Sequence, residues 1–272
     1  LRETAGISAL AIIADAIQLT HASCMSTRAI RPSIPRHGLA RVLSKRGLCS
    51  RTEAARWIAA GRVSLGGRVV RDPEHATAAT AVIAIDGVPL ATAERIYVAL
   101  NKPRGLVTTA VDERGRDTVY CCFDGAGLPW LAPVGRLDKA SEGLLLFCND
   151  PEWAARVTDP EHGQDKTYHV QVDTIPDAAL FASLVRGTEI DGVFLRAKSA
   201  QLLRAGGKNA WLEIVLDEGR NRQVRRLLTA FDVSVLRLVR VAIGGLLLGD
   251  LPKGQWRRLG EDELRALDAS GA

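Results

Sequence analysis

An α+β fold in two domains is the class this sequence predicts, and three observations predict it. A basic stretch near the front carries a helix-capping signal and is followed by two glycine-containing hairpin turns. Behind residue 95 the texture changes to short alternating strands separated by loops, with few helical patterns among them. The length of 272 residues suits about two domains, and 47% hydrophobic with 25% charged residues is ordinary for a globular chain. The first domain is expected over 36–92 and the second over 96–265, with a linker ending at Arg95.

Residues 1–35 are read as an extension outside the fold, either disordered or not translated. Ile7 to Ala14 is apolar, but Asp15 interrupts it and the run is too short to span a bilayer. Met25 is the one methionine and a candidate start of translation.

In the first domain, Leu39, Val42 and Leu43 recur at one-face spacing, which predicts a helix over 37–47 ending at Gly47. Ser50 and Glu53 form a capping box that starts a second helix, with Ala54, Trp57 and Ile58 turned inward. Two hairpins come next, around Gly66-Gly67 and Asp86-Gly87. Between Arg36 and Arg71 nine basic residues stand against one acid, Glu53. Arg41 and Lys45 share a helix face, and Arg46, Arg51 and Arg62 add to the same charge. A second basic group holds Arg220, Arg222, Arg225 and Arg226, with Arg237 and Arg240 after it. Two such groups on a chain of formal charge +5 suggest a polyanion touched in two places.

In the second domain, Ile96–Leu100 runs into the turn-rich Asn101–Gly105. The segment from Leu131 leads to a loop holding Asp138 between Arg136 and Lys139, and 143–148 reads as a strand buried on both faces. Positive neighbours favour the ionised carboxylate, so Asp138 is a candidate nucleophile or base. The plain alternative is a surface turn residue with solvated partners. Lys166–Asp173 alternates, turning Tyr168, Val170 and Val172 to one apolar face. Trp211–Asp217 is a second alternating strand, and Val224, Leu227, Leu228 and Phe231 mark a helix. The five cysteines show no paired C-x-x-C spacing, which argues against a disulfide framework or zinc site and for a reducing compartment.

Residues 38–70, G-L-A-R-V-L-S-K-R-G-L-C-S-R-T-E and onward, resemble the S4 RNA-binding domain. L-N-K-P-R-G (100–105), V-G-R-L-D-K-A-S-E-G-L-L-L (134–146), K-T-Y-H-V-Q-V (166–172) and E-G-R-N-R-Q-V-R-R-L (218–227) resemble, in order, the motifs of the RsuA-type ribosomal RNA pseudouridine synthases. R-L-V-R-V-A-I-G-G-L (237–246) and L-P-K-G-Q-W-R-R-L (251–259) are similar to that family's last blocks. The resemblance implies a small S4-like α/β domain followed by a mixed, mainly antiparallel sheet with flanking helices. It also implies conversion of a specific uridine to pseudouridine in 16S or 23S rRNA.

By the same resemblance Asp138 is the nucleophile, Tyr168 lies against the extruded base and helps remove the C5 proton, and Arg225 pairs with the aspartate. Attack at C1′ and elimination to a glycal both begin at such a carboxylate, and both stay open. Arg136 is expected at an RNA phosphate or supporting the loop, with Lys102, Arg220 and Arg222 as further RNA contacts. No metal or cofactor is implied. The expected partner is structured rRNA, and the protein is expected to be a cytoplasmic monomer with no membrane association. The competing class is a noncatalytic S4-domain ribosome-assembly factor. A glycoside hydrolase built on Asp138 and Glu142 has little support, since the two lie only four residues apart. Phe147-Cys148, Pro151, Asp159 and Tyr120–Phe123 depart from the family pattern.

Overall fold

The computed structural model describes residues 36–91, 93–110, 112–159 and 163–269, so the reading of residues 1–35 lies outside the described residues. In the first module the helices α1 (Leu39–Lys45) and α2 (Arg51–Ala59) pack on each other. Helix α1 is shorter than the pattern predicts, because Arg36–Gly38 forms a strand, β1, that pairs with β4 (Ala76–Ala78). Ser50 caps α2 as expected, accepting from the Glu53 amide at 3.1 Å. The hairpins β2 (Val63–Leu65) with β3 (Arg68–Val69), and β5 (Ile83–Ile85) with β6 (Val88–Pro89), join through β2 and β5. Leu39, Leu43, Ile58, Val63 and Ile83 form the core beneath them.

The module is clasped to the second domain. Lys45 Nζ meets Glu152 at 2.8 Å, and Arg95 donates to the carbonyls of Lys45 and Asn149. Gly47, at φ +75°, sits so close to the Asn149 carbonyl that a Cβ there would come within 2.6 Å of it.

The second domain is built on a nine-stranded sheet. Its main path runs β13 (Ser199–Ala205), β14 (Ala210–Leu216), β10 (Lys166–Val172), β15 (Val235–Ile243), β9 (Glu142–Cys148), β7 (Tyr97–Lys102), β17 (Trp256–Arg258). Strand β8 (Ala132–Val134) adds to β9, and β16 (Leu246–Leu247) to β15. Pairing is antiparallel except between β15 and β9. Every residue of β9 is buried because two cores share it. Leu145 and Phe147 face one, with Tyr168, Val170, Leu212 and the helix α5 residues Val224, Leu227 and Leu228; α5 spans Gln223–Thr229. Leu144 and Leu146 face the other, with Trp153 and Val157 of helix α3 (Pro151–Thr158) and Leu267 of helix α6 (Glu261–Ala269). A further helix, α4 (Ala178–Arg186), and the hairpin β11 (Thr188–Ile190) with β12 (Val193–Leu195) complete the domain.

Candidate active site

The loop from Leu137 to Ser141 is fixed almost atom by atom along its backbone. Thr108 Oγ1 donates to the Leu137 carbonyl at 2.8 Å, and Gly105 N–H to the Lys139 carbonyl at 2.8 Å. Arg225 Nη2 donates to the Ala140 carbonyl at 3.2 Å, Lys102 Nζ to the Ser141 carbonyl at 2.8 Å, and Ser141 N–H closes the turn on the Asp138 carbonyl at 2.9 Å. Two motifs distant in sequence, L-N-K-P-R-G and Q-V-R-R, therefore hold the aspartate's loop. Such bonds position a reactive group without occupying its side chain.

Asp138 is half-buried at the wall of a cleft of 680 Å³. Tyr168, 8% exposed, lines the same cleft, as the alternation of β10 predicts. Arg222, Lys166 and Arg240 line it too. A second, more polar cleft of 560 Å³ begins on the other side of Asp138, lined by Thr108, Arg114, Arg116, Arg136 and Lys139 among others. Asp138 thus stands at the junction of a half-open cleft of mixed apolar and charged walls and a more open polar one lined by both arginines and acids.

Arg225 departs from its expected pairing with Asp138. It donates to the carbonyls of Ala140 and Val235, while the ion pair of Asp138 is a long one, 3.9 Å to Arg222. Burial, and then the charge of Arg222, lower the Arg225 guanidinium, with Asp138 acting the other way. Arg225 belongs to α5, partly buried beside the helix's core face of Val224, Leu227 and Leu228, and its guanidinium reaches the loop backbone rather than the carboxylate.

The expected RNA contact at Lys102 is also corrected. This lysine is fully buried and bonded to the Pro103 and Ser141 carbonyls. Burial pushes its ammonium down to about 8, with Asp138 and Glu142 opposing that fall. Of the other expected RNA contacts, Arg41, Arg51 and Arg136 are exposed. Lys45 is engaged by Glu152, Arg46 by the carbonyls of Ala79 and Ala81, and Arg62 by Asp86. Arg220 pairs with Glu218, and Arg222 reaches towards Asp138; both stay about half exposed.

The second basic group of the sequence therefore divides. Arg226 bonds Asp191 and the Ile190 carbonyl, and Arg237 bonds Glu142. Glu142 is 2% exposed and is also held by Lys253, so it has no free oxygen facing a substrate in the manner of a paired glycosidase acid. Burial alone would raise the Glu142 carboxyl, but the hydrogen bonds from Arg237 and Lys253 outweigh it and hold the group below its ordinary value.

Sequence reading missed Thr108 as a loop anchor and Arg240 as a buried cation in the cleft. Arg240 had one signal: it stands at a buried step of an alternating apolar strand. Among the described residues no group of three or more His, Cys, Asp or Glu is placed to hold a metal ion, and no helix is long and apolar enough to cross a membrane.

Comparison with known proteins agrees with this geometry. Residues 96–230 match the RNA pseudouridylate synthase family and residues 38–76 the S4 domain. Proteins named as RNA pseudouridine synthases from Aquifex aeolicus and Mycobacterium leprae are 36% and 38% identical, over 83% and 84% of this chain and 91% of each relative. The ribosomal large subunit pseudouridine synthase B of Bacillus subtilis is 34% identical over 85% of this chain and 95% of its own length. A crystal structure of a pseudouridylate synthase superposes with a TM-score of 0.60 at 29% identity, covering 86% of this chain and 99% of that one. With its S4 module, its mostly antiparallel sheet and full-length relatives of this kind, the chain belongs to the RNA pseudouridine synthase family, whose members are isomerases.

Proposed function

We propose that this protein isomerises one uridine of large-subunit ribosomal RNA to pseudouridine, with Asp138 as the nucleophile. The observation that carries the reading is the position of Asp138 at the meeting of two clefts, with Tyr168 inside the first. A base in a folded RNA must leave its stack to be reached, and a half-open cleft with Tyr168 in its wall suits an extruded pyrimidine. The sugar and its phosphates then lie in the open cleft beside Arg136 and Lys139. The choice of large-subunit RNA rests on the Bacillus subtilis relative.

In this reading the Asp138 carboxylate acts at C1′ or on the hydrogen of C2′, and the N1–C1′ bond breaks with its electron pair leaving on the base. The base turns and C5 bonds to C1′ as the carboxylate leaves that carbon, or as C2′ regains its proton; the C5 proton then departs with help from Tyr168 and N1 takes up a proton. No atom is gained or lost. Lys102 and Arg225 serve as positioning residues, because both hold carbonyls of the loop. Arg41, Arg51 and Arg136 face the RNA backbone. The S4 module, residues 36–92, docks on structured RNA, and the catalytic domain runs from residue 96 past 265, since Leu267 is packed in its core. The enzyme works in the cytoplasm as a monomer.

Pseudouridine mapping on both rRNAs, with and without the protein, should reveal one new site in the large-subunit RNA. Asp138→Ala should abolish that site while RNA affinity stays within about threefold. Normal turnover by that variant refutes the assignment. Arg41→Ala and Arg51→Ala should each reduce the salt slope of RNA binding by about 1.

A further inference from the structure

Four buried side-chain polar atoms have no hydrogen-bond partner among the described residues: Trp153 Nε1, Gln164 Oε1, Arg225 Nε and Arg240 Nη2. Of these residues only Arg240 lines the cleft that holds Asp138 and Tyr168. Arg240 is 6% exposed, and its Nε is spent on the Leu144 carbonyl at 2.7 Å. A guanidinium N–H buried without an acceptor is costly, and sites keep such groups when a ligand supplies the acceptor.

The register of the sheet brings Arg240 there. Strand β10 pairs Gln171, Val170, His169 and Tyr168 with Arg237, Leu238, Val239 and Arg240 in unbroken order, so Arg240 and Leu238 share the face of Tyr168 and Val170. Thr167 then pairs with Ala242, so Val241 is the extra residue of a bulge that begins just beyond the arginine. Across β15 the next position in that row is Gly143, which presents no side chain and stands just beyond the Asp138 loop. The row Ile214, Tyr168, Arg240, Gly143 thus leads across the sheet towards the nucleophile's loop. Lys166, on the same face of β10 two residues before Tyr168, adds a second cation to the cleft; burial and the charge of Arg240 lower its ammonium.

We propose that Arg240 receives a carbonyl oxygen of the extruded base and carries the negative charge the base acquires as N1–C1′ breaks. This rests on the reading of the cleft as the uridine site. When the bond breaks heterolytically its electron pair stays on N1, and the charge spreads by conjugation onto O2 and O4. A fixed buried cation is effective at such a point because it needs no reorganisation as charge develops. A contact at O4 would also select the base. Uracil offers an acceptor at O4, where cytosine offers an amino donor that would meet the guanidinium N–H head on. A site built around a buried donor rejects such a mismatch strongly.

The test is single-turnover conversion of an rRNA fragment carrying the mapped uridine, 2-thiouridine or 4-thiouridine at that position, because sulfur accepts hydrogen bonds poorly. Wild type should slow about tenfold with sulfur at the contacted position. Arg240→Met should be slower by about 10² on the uridine RNA and indifferent to sulfur at either position. Arg240→Lys keeps the charge on a shorter reach and guards against misfolding of the methionine variant; its sulfur effect should fall below that of wild type. A sulfur effect undiminished in a folded variant, or an unchanged rate in Arg240→Met, overturns the inference while leaving the pseudouridine synthase reading intact. Failure of wild type to modify any uridine overturns the reading itself.

Discussion

Lys102→Met is the sharpest physical test of how the Asp138 loop is held. In the folded chain burial brings this lysine from 10.5 down to about 8. Below about pH 8 both folded and unfolded chains bind the proton, and the folded state bears the whole penalty of about 3 kcal/mol. Between about 8 and 10.5 the unfolded chain keeps a proton that the folded chain has lost, so stability rises with pH. From about pH 7.5 to about pH 9.5 that gain amounts to about 2 kcal/mol. Lys102→Met removes the titrating group and keeps most of its volume, so the stability difference between wild type and variant should shift by that amount in favour of wild type. Urea unfolding followed by tryptophan fluorescence at the two pH values measures it, and other titrations cancel in the difference. A difference constant within about 0.5 kcal/mol would show that the lysine is not desolvated and refute the argument. The variant also leaves the Ser141 and Pro103 carbonyls without their donor. Its single-turnover rate should fall about 10² through misplacement of the loop, with RNA affinity kept.

Gly143→Ala should cost about 3 kcal/mol or more, since its Cβ would come within 2.2 Å of the Arg240 carbonyl at φ +100° and force β9 from β15; Gly67→Ala, in open space, is the control for thermal melting. Glu142→Gln should cost about 2 kcal/mol at neutral pH, because Arg237 and Lys253 lose their carboxylate. The native carboxyl is depressed on folding, so this contribution is full above the ordinary glutamate value of 4.5 and is lost as pH falls through the folded value; denaturant titrations near pH 7 and pH 3 should show the gap closing. Arg225→Met should lower single-turnover rate about 10-fold or more with RNA affinity unchanged, because it removes the donor to Ala140 without touching the carboxylate.

Much of this architecture was legible in the chain because it depends on local rules. The Ser50 cap, the two glycine hairpins and the alternation that buries Tyr168, Val170 and Val172 are each set by neighbours within a few residues. The destinations of the arginines were not legible. Periodicity cannot say whether a cation meets solvent, a carbonyl or a distant acid, and here Arg46, Arg225 and Arg226 went to carbonyls while Arg62 and Arg237 went to carboxylates. The bulge at Val241 was equally hidden, since one extra residue changes no pattern that sequence alone displays. The departures from the family motifs at Tyr120, Phe123 and Phe147 become intelligible together. Their rings meet edge-on, Phe123 to Phe147 at 4.9 Å and Tyr120 to Phe147 at 5.9 Å, so each unusual side chain accommodates the others within one core.

The manner in which Asp138 is held bears on its chemistry. A carboxylate clamped by a bidentate arginine is well placed but has its lone pairs occupied, and attack at a sugar carbon then requires breaking strong charge-assisted bonds. Here orientation comes from six hydrogen bonds to backbone atoms of residues 137 to 141, while the ion pair to the side chain found among the described residues is 3.9 Å long and ends on an exposed arginine. The loop is therefore rigid and its carboxylate remains accessible. The buried cations Lys102 and Arg240 and the partly buried Arg225 belong to the same region, yet their hydrogen bonds go to carbonyl oxygens rather than to Asp138. That arrangement supplies positive potential while leaving the Asp138 carboxylate accessible, and it accounts for the convergence of motifs about 120 residues apart, at Lys102 and Arg225, on one five-residue loop.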